Sequence, residues 1–475
     1  MYKLLKFVFA FNVLIAGSIV ALAQNKEFVI NALADKYNAD RYKEIYGMLT
    51  EDFKKNATEE QITGLFRNNL KAQLGNIISW KHDVYDSSNY VMRFENGKLL
   101  LKLYVNKDNN IAGMQWLPYR ERIVSTQKCK RALMTDNPLK TEIQRYIDSV
   151  ACGYLNDTIN SGLSIGIIYN NNTESYHYGE AEKGSAKWAT NETVYEIGSL
   201  TKTFTGILLA HAVNDGKLKL DDDIRNYLTG SYPKLQYEGK PILVKHLANH
   251  TSGLPRIPEN LDAQPSYDEN DPYRNYNKSM LMEYLTTITL ATAPGMNMEY
   301  SNLGVGLLGV ILETVYKKPI QELVDKYLSK PAGMKNTYFA ITNSPDTNMA
   351  KGYREKDGLL TPYWHVGDLQ AAGGLRSNMT DMLAYMKANM NAVNKDFSLS
   401  HSALPYAKDS TVGFCWMLAK APKQQKLVWH NGATFGFTSF CGFVEEKKIG
   451  VIVLSNSGNT VDDVAMSILR YLSTD

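Results

Sequence analysis

Net charge is nearly absent from this chain. Lys and Arg number 52 against 49 Asp and Glu, a formal charge of +3 over 475 residues. With no long basic run beside that balance, there is no electrostatic footprint for nucleic acid. Cysteine is scarce too: Cys129, Cys152, Cys415 and Cys441. Their spacing matches no zinc pattern, so neither a metal nor a cofactor is expected. Beyond the first 23 residues no stretch of about 20 apolar residues occurs, so no stable membrane span is expected. Internal repeats and low-complexity tracts are also missing. What remains is an ordinary globular protein, and its length implies two domains.

The N-terminus has the build of a secretory signal over residues 1–23. Lys3 and Lys6 form the charged region, Phe7 to Val20 is mostly apolar, and Ala21-Leu22-Ala23 is a small-residue cleavage site. The expectation is a chain beginning at Gln24 in the periplasm or outside the cell. An exported protein can pair its cysteines, and four allow three connectivities. Cys415 and Cys441 lie in apolar, strand-like stretches and read as core residues. Cys129 and Cys152 flank a domain junction, where a disulfide is an open alternative.

Residues 24–118 begin with helical spacing: Phe28, Val29, Ala32, Leu33 and Tyr37, then Tyr42, Ile45, Tyr46 and Leu49. Thr58-Glu59-Glu60-Gln61 is a helix start. The period then changes. Tyr90 to Phe94 and Leu99 to Val105 read as a hairpin around Asn96-Gly97, and Ile111 to Leu117 as a further strand. Helices followed by a meander make a small α+β domain. It resembles the NTF2-like domains found ahead of secreted hydrolases, most in Asn109-Asn110-Ile111-Ala112-Gly113-Met114. His82 and Asp83 are adjacent, but neighbours on a strand face opposite ways, so they form no catalytic pair. A binding or spacer role is expected, with an unknown partner. Residues 119–138, partly basic and ending at Pro138, read as a linker.

Residues 139–475 form the second domain. A helix from Leu139 to Leu155 precedes the strand Leu163 to Tyr169 and its partner, Ser175 to Tyr178. Residues 256–278 are polar and read as a surface loop near the active site. The end is β-rich, with strands at Val412 to Leu418, Leu427 to His430, Thr438 to Val444 and Ile449 to Leu454. A last helix runs from Asp462 to Leu472.

Three patches carry chemistry. Ser199-x-x-Lys202 places a hydroxyl at a helix start and an amine one turn later on the same face. A serine needs a base within hydrogen-bond reach, and a desolvated lysine can lose its proton. The second patch is Tyr300-Ser301-Asn302. The third is His430-Asn431-Gly432-Ala433, at the end of a strand.

This set, in this order, resembles the serine β-lactamase and penicillin-binding protein superfamily, within it the class C branch. That branch also holds D-Ala-D-Ala carboxypeptidases, D-aminopeptidases and esterases. The phrases His250-Thr251-Ser252-Gly253-Leu254-Pro255, Pro331 to Thr337 and Ala372-Gly373-Gly374-Leu375 add to it. The resemblance implies an α+β fold: an antiparallel sheet flanked by helices, with a helical subdomain and the site between them. It implies Ser199 as nucleophile, Lys202 assisting its deprotonation, and Tyr300 as general base, ionised below its free pKa by neighbouring cations. Asn302, His430, Asn431 and Gly432 would bind substrate. The backbone N–H groups of Ser199 and Ala433 would form the oxyanion hole.

The third patch departs from the Lys-Thr-Gly of the β-lactamases, whose lysine and threonine help bind a carboxylate. Here a protonated His430 would have to do so. Small peptides, β-lactams and esters are the expected substrates. A carboxylesterase with little peptidase activity and a non-catalytic penicillin-binding sensor are the alternatives.

Overall fold

A computed structural model describes residues 26–82, 89–118, 129, 133–339, 348–391, 393–407, 411–421 and 425–474. The signal segment and most of the 119–138 stretch lie outside these residues. The chain divides into two units, residues 1–122 and 123–475.

In the first unit the helical period buries Val29, Ile30, Leu33 and Tyr37 of α1 (Lys26–Asn38) on one face. A second helix, α2, follows (Tyr42–Gly47). A Thr58–Gln61 capping box opens α3 (Glu59–Gly64), as the sequence indicated. Four strands then pair antiparallel in chain order: β1 (Ile77–His82), β2 (Asn89–Phe94), β3 (Gly97–Val105) and β4 (Ile111–Pro118). The hairpin loop is Glu95-Asn96, because Gly97 already pairs with Phe94. Leu99, Leu101 and Leu103 of β3 point inward at period two, into a core with Tyr37, Phe66 and Trp116. His82 contacts Glu27 at 3.4 Å; Asp83 lies outside the described residues.

The second unit is built on a longer sheet. Its first helix is α4 (Glu142–Leu155), and its early strands are β5 (Gly162–Tyr169), β6 (Asn172–Glu182) and β7 (Lys187–Trp188). Two short strands, β8 (Val194–Glu196) and β9 (Arg376–Asn378), pair apart from the main sheet. The last strands are β10 (Met417–Lys420), β11 (Lys426–Ala433), β12 (Thr438–Val444) and β13 (Ile449–Ser455). They complete a seven-stranded sheet in the order β10-β11-β12-β13-β5-β6-β7, antiparallel at every ladder.

Both sheet faces are covered, which is why β12 and β13 are buried at every residue rather than at alternate ones. One face packs on α4 and on the last helix of the chain (Asp462–Thr474), through Ile147, Leu155, Phe440, Val451 and Ile468. The other packs on the helical layer, through Cys441, Phe443, Ile452 and Phe204.

Three expectations change. The strand read at 412–418 is mostly not one. Cys415 takes a left-handed turn (φ 61°) and its N–H bonds to the Ala248 carbonyl, pulling the segment off the sheet. The 256–278 stretch is not simply a surface loop. Leu261, Tyr273 and Tyr276 are buried in the main core, and the buried Asp271 holds His365 Nδ1 at 2.6 Å. Finally, the open disulfide alternative is realised, as Cys129 and Cys152 are bonded with Cα atoms 4.8 Å apart.

Candidate active site

Two glycines bring the site's backbone together. After β8 the chain passes Ile197 into a tight turn, Gly198–Leu200, and then into α5 (Thr201–Asn214). Gly198 has φ +50°, and a Cβ there would lie 2.6 Å from the Ala433 nitrogen. A Cβ on Gly432 would meet the Ile197 carbonyl at 2.0 Å and the Ser199 nitrogen at 2.9 Å. Only glycine permits so close an approach. The end of β11 therefore lies against the Ser199 turn, and the nitrogens of Ser199 and Ala433 are neighbours. Ser439 Oγ fastens the contact by donating to the Ile197 carbonyl at 2.7 Å.

α5 is buried on nearly all sides, as an apolar helix between layers must be. Lys202 is fully buried on it. Its Nζ donates to Ser199 Oγ at 3.0 Å and to the Ala372 carbonyl at 2.5 Å. Thr205 Oγ1 bonds the Ala371 carbonyl at 2.8 Å, and Thr201 Oγ1 accepts from the Leu375 N–H at 3.0 Å. The Ala-Gly-Gly-Leu phrase thus holds the lysine's helix in place. Burial drives the Lys202 pKa down to about 7, and the Arg256 charge pushes the same way.

The second patch starts α6 (Asn302–Tyr316), capped by Ser301. Ser301 Oγ accepts from the Gly304 N–H at 2.8 Å and donates to the Pro255 carbonyl at 2.7 Å. The Ser301 N–H donates to His250 Nδ1 at 3.2 Å. The Asn302 N–H bonds the Arg256 carbonyl at 2.8 Å. The His250–Arg256 segment therefore wraps the Tyr300 turn. Around the Tyr300 ring centre lie the His250 ring at 4.4 Å, Lys202 Nζ at 4.8 Å, the Arg256 guanidinium at 5.1 Å and the His430 ring at 6.1 Å. Burial raises the Tyr300 pKa well above its ordinary value, against the pull of the Ser199 hydroxyl and Arg256. This reverses the expectation of a readily ionised tyrosine: desolvating the phenolate outweighs the nearby cations. Asn302 donates to Tyr273 Oη at 3.2 Å, and its Oδ1 is buried with no partner among the described residues.

The third patch divides by face, as strand geometry requires. His430 is buried, and its Nδ1–H donates to the Asn431 carbonyl at 2.5 Å. That contact leaves Nε2 as a bare acceptor, unpartnered among the described residues. Burial, then the Lys202 charge, lowers the His430 pKa to about 3. The ring is neutral, so the expected imidazolium is absent. Asn431 turns the other way. Its amide donates to Asp462 Oδ2 at 2.8 Å, at the start of the last helix. Thus Ser199, Lys202, Tyr300, His430, Gly432 and Ala433 come together, while the Asn431 side chain does not join them.

Sequence reasoning missed Arg256, although it directly follows the His250–Pro255 phrase. It also missed an aromatic wall, in which Trp364 lies 5.6 Å from Tyr273 and 4.8 Å from Phe435. Glu196 positions that wall: buried opposite Arg376 at 3.6 Å, it accepts the Trp364 N–H at 2.7 Å. Burial raises the Glu196 carboxyl to about 7, though Arg376 opposes this. No local sequence signal marks Trp364.

Comparison with known proteins follows the same division of the chain. The family model described as Beta-lactamase matches residues 147–474. One described as Protein of unknown function (DUF3887) matches residues 31–114. A beta-lactamase of Providencia stuartii is 26% identical over 351 residues, covering 66% of this chain and 86% of that protein. The D-alanyl-D-alanine-carboxypeptidase/endopeptidase AmpH of Escherichia coli (strain K12) is 26% identical over 332 residues, covering 66% and 82%. Among solved structures, a class C beta-lactamase superposes with a TM-score of 0.59 at 26% identity, covering 69% of this chain and 96% of that one.

Proposed function

We propose a mechanism and a substrate range for a chain that belongs to the beta-lactamase family. The protein is a serine hydrolase of the class C β-lactamase and D,D-peptidase type. Its reaction is cleavage of an amide or ester bond through an acyl-enzyme on Ser199, with D-alanyl peptides and β-lactams as the substrate classes named by its relatives.

The observation that carries this reading is Lys202 Nζ at 3.0 Å from Ser199 Oγ, on a lysine whose pKa lies at about 7. In this mechanism neutral Lys202 accepts the Ser199 proton as Oγ attacks the carbonyl carbon. The oxyanion forms between the N–H groups of Ser199 and Ala433. Tyr300, still a phenol, donates its proton to the leaving nitrogen or oxygen and is resupplied from protonated Lys202. Water then cleaves the acyl-enzyme by the reverse relay. The roles expected from sequence shift in one respect: Lys202 is the base and Tyr300 the acid of the first step. Asn302 Oδ1, buried and unpartnered, is free to accept a hydrogen bond from the substrate.

Carboxylesterase activity is the second reading. It is favoured by the neutral His430 and by the engagement of Asn431 with Asp462, which leave the third patch without a cation. Export is also part of the proposal: the Cys129–Cys152 disulfide fits an oxidising compartment. Among the described residues no helix is long and apolar enough to cross a membrane.

The test is intact-mass detection of a covalent adduct with a fluorophosphonate and with a penicillin, on wild type and Ser199→Ala. Adducts on wild type alone are expected. Equal labelling of both proteins, or none under conditions that label a related enzyme, would overturn the acyl-enzyme reading.

A further inference from the structure

A substrate that carries a negative charge needs a cation at the site, and the third patch does not offer one. His430 presents a bare Nε2, and Asn431 faces Asp462. Lys202 is buried and bonded to Ser199 and Ala372, and as the base it must act without its proton. Arg376 is committed to the buried Glu196.

Arg256 differs from all of these. Its backbone carbonyl is clamped by the Asn302 N–H at 2.8 Å, so its position follows the Tyr300 turn. Its guanidinium lies 5.1 Å from the centre of the Tyr300 ring. It is exposed, and no carboxylate pairs with it among the described residues. An arginine held on an aromatic face keeps its charge and its fork of donors outward, the geometry that takes a carboxylate at two points. Its field reaches inward as well, helping to lower the Lys202 and His250 pKa values.

Tyr300 is the group that protonates the leaving atom in the mechanism above. A cation against the same ring therefore stands on the leaving-group side of the scissile bond. We propose that Arg256 is a specificity-determining residue that anchors a carboxylate carried by the substrate's leaving group. The preferred substrate is then an acyl amide or ester whose departing portion ends in a free carboxylate. This rests on the acyl-enzyme reading and refines it.

The experiment compares two substrates that differ only at that group, an acyl-D-lactate depsipeptide with a free carboxylate and the same compound as its carboxamide. The quantity read is the ratio of kcat/KM for acid over amide, in wild type and in Arg256→Gln, Arg256→Lys and Arg256→Glu. Wild type should favour the acid. Arg256→Gln should lower the ratio about 10- to 100-fold, as for loss of a charge-assisted hydrogen bond, chiefly through KM. Arg256→Lys should restore part of it, and Arg256→Glu should lower it further. An unchanged ratio overturns the proposal, as does a wild type without preference for the acid. An equal fall on both substrates, with the acid limb of the pH profile moving alkaline, would show that Arg256 acts only on Lys202. Fluorophosphonate labelling of Ser199 in the same samples separates the two levels. Labelled protein with an unchanged ratio removes Arg256 alone, whereas unlabelled wild type removes the acyl-enzyme reading and this proposal with it.

Discussion

At the scale of single residues, the chemistry proposed for Ser199 turns on the protonation state of Lys202, which burial sets. Ser199 and Lys202 are one helical turn apart in any helix. The lysine's pKa is lowered because the whole of α5 is buried, and that depends on contacts with segments 170 residues away, such as the Ala372 carbonyl. The same holds for His430, whose charge was expected from its ordinary pKa and is abolished by burial. With a pKa of about 7, half of Lys202 is neutral at pH 7, against roughly one in a few thousand for an ordinary lysine. kcat/KM for a neutral ester should therefore rise about tenfold per pH unit below that pKa and level off above it. A flat profile between pH 5 and 8 would exclude Lys202 as the base. The same shift has a sign for stability. A lysine whose folded pKa is lowered binds its proton less readily when folded, so it opposes folding fully below pH 7. That penalty fades as pH rises toward the unfolded value of about 10.4. Lys202→Met should abolish labelling of Ser199 while raising Tm at pH 6 by several degrees, and the gain should shrink by pH 10.

At the scale of elements, periodicity located strands and helices but not what they touch. β11 was read as ending at His430; it runs on to Ala433 because Asn431, Gly432 and Ala433 continue the ladder opposite Phe440, Ser439 and Thr438 of β12. The 256–278 stretch looked too polar for a core. Leu261, Tyr273 and Tyr276 are nonetheless buried while Ile257 and Tyr267 stay exposed, and His365 and Asn302 hold the stretch from outside through Asp271 and Tyr273. The contact of β11 with the Ser199 turn yields the sharpest element-level prediction. Gly432→Ala would put a methyl group 2.0 Å from the Ile197 carbonyl and 2.9 Å from the Ser199 nitrogen. Strand and turn must separate, and with them the Ser199 and Ala433 N–H groups proposed as oxyanion donors. Losing a donor costs about 100- to 1,000-fold in rate. The variant should therefore lose at least 100-fold in the acylation rate, measured by stopped flow, for a Tm drop of only a few degrees, because β11 stays paired with β12 along its length. A fall in Tm large enough to account for lost activity by unfolding would refute the local account.

At the scale of the whole chain, the two cores share no residue, and the shift from helices to a meander, then to a β-rich end, was legible in the hydrophobic pattern. The cysteines were legible only in part. Cys415 and Cys441 were placed in the core and are buried free thiols. Pairing of Cys129 with Cys152 could not be deduced, since spacing alone leaves three connectivities open. The bond spans 23 positions and ties the start of the second unit to α4, on the sheet face opposite α5. Closing a loop of that length removes unfolded-state entropy equivalent to about 3 kcal/mol. Stability should then depend on the bond, whereas the site should not, because α4 packs on the sheet face opposite the helical layer that carries α5. Thiol titration of the unfolded, unreduced protein should find two free thiols of the four. Cys129→Ser should lower Tm by a few degrees and leave kcat/KM for a neutral ester within twofold of wild type. Four titratable thiols in protein recovered from an oxidising compartment would remove the bond, and with it the structural support for export. A large loss of activity in Cys129→Ser at temperatures well below Tm would instead mean that α4 communicates with the Ser199 turn through the sheet.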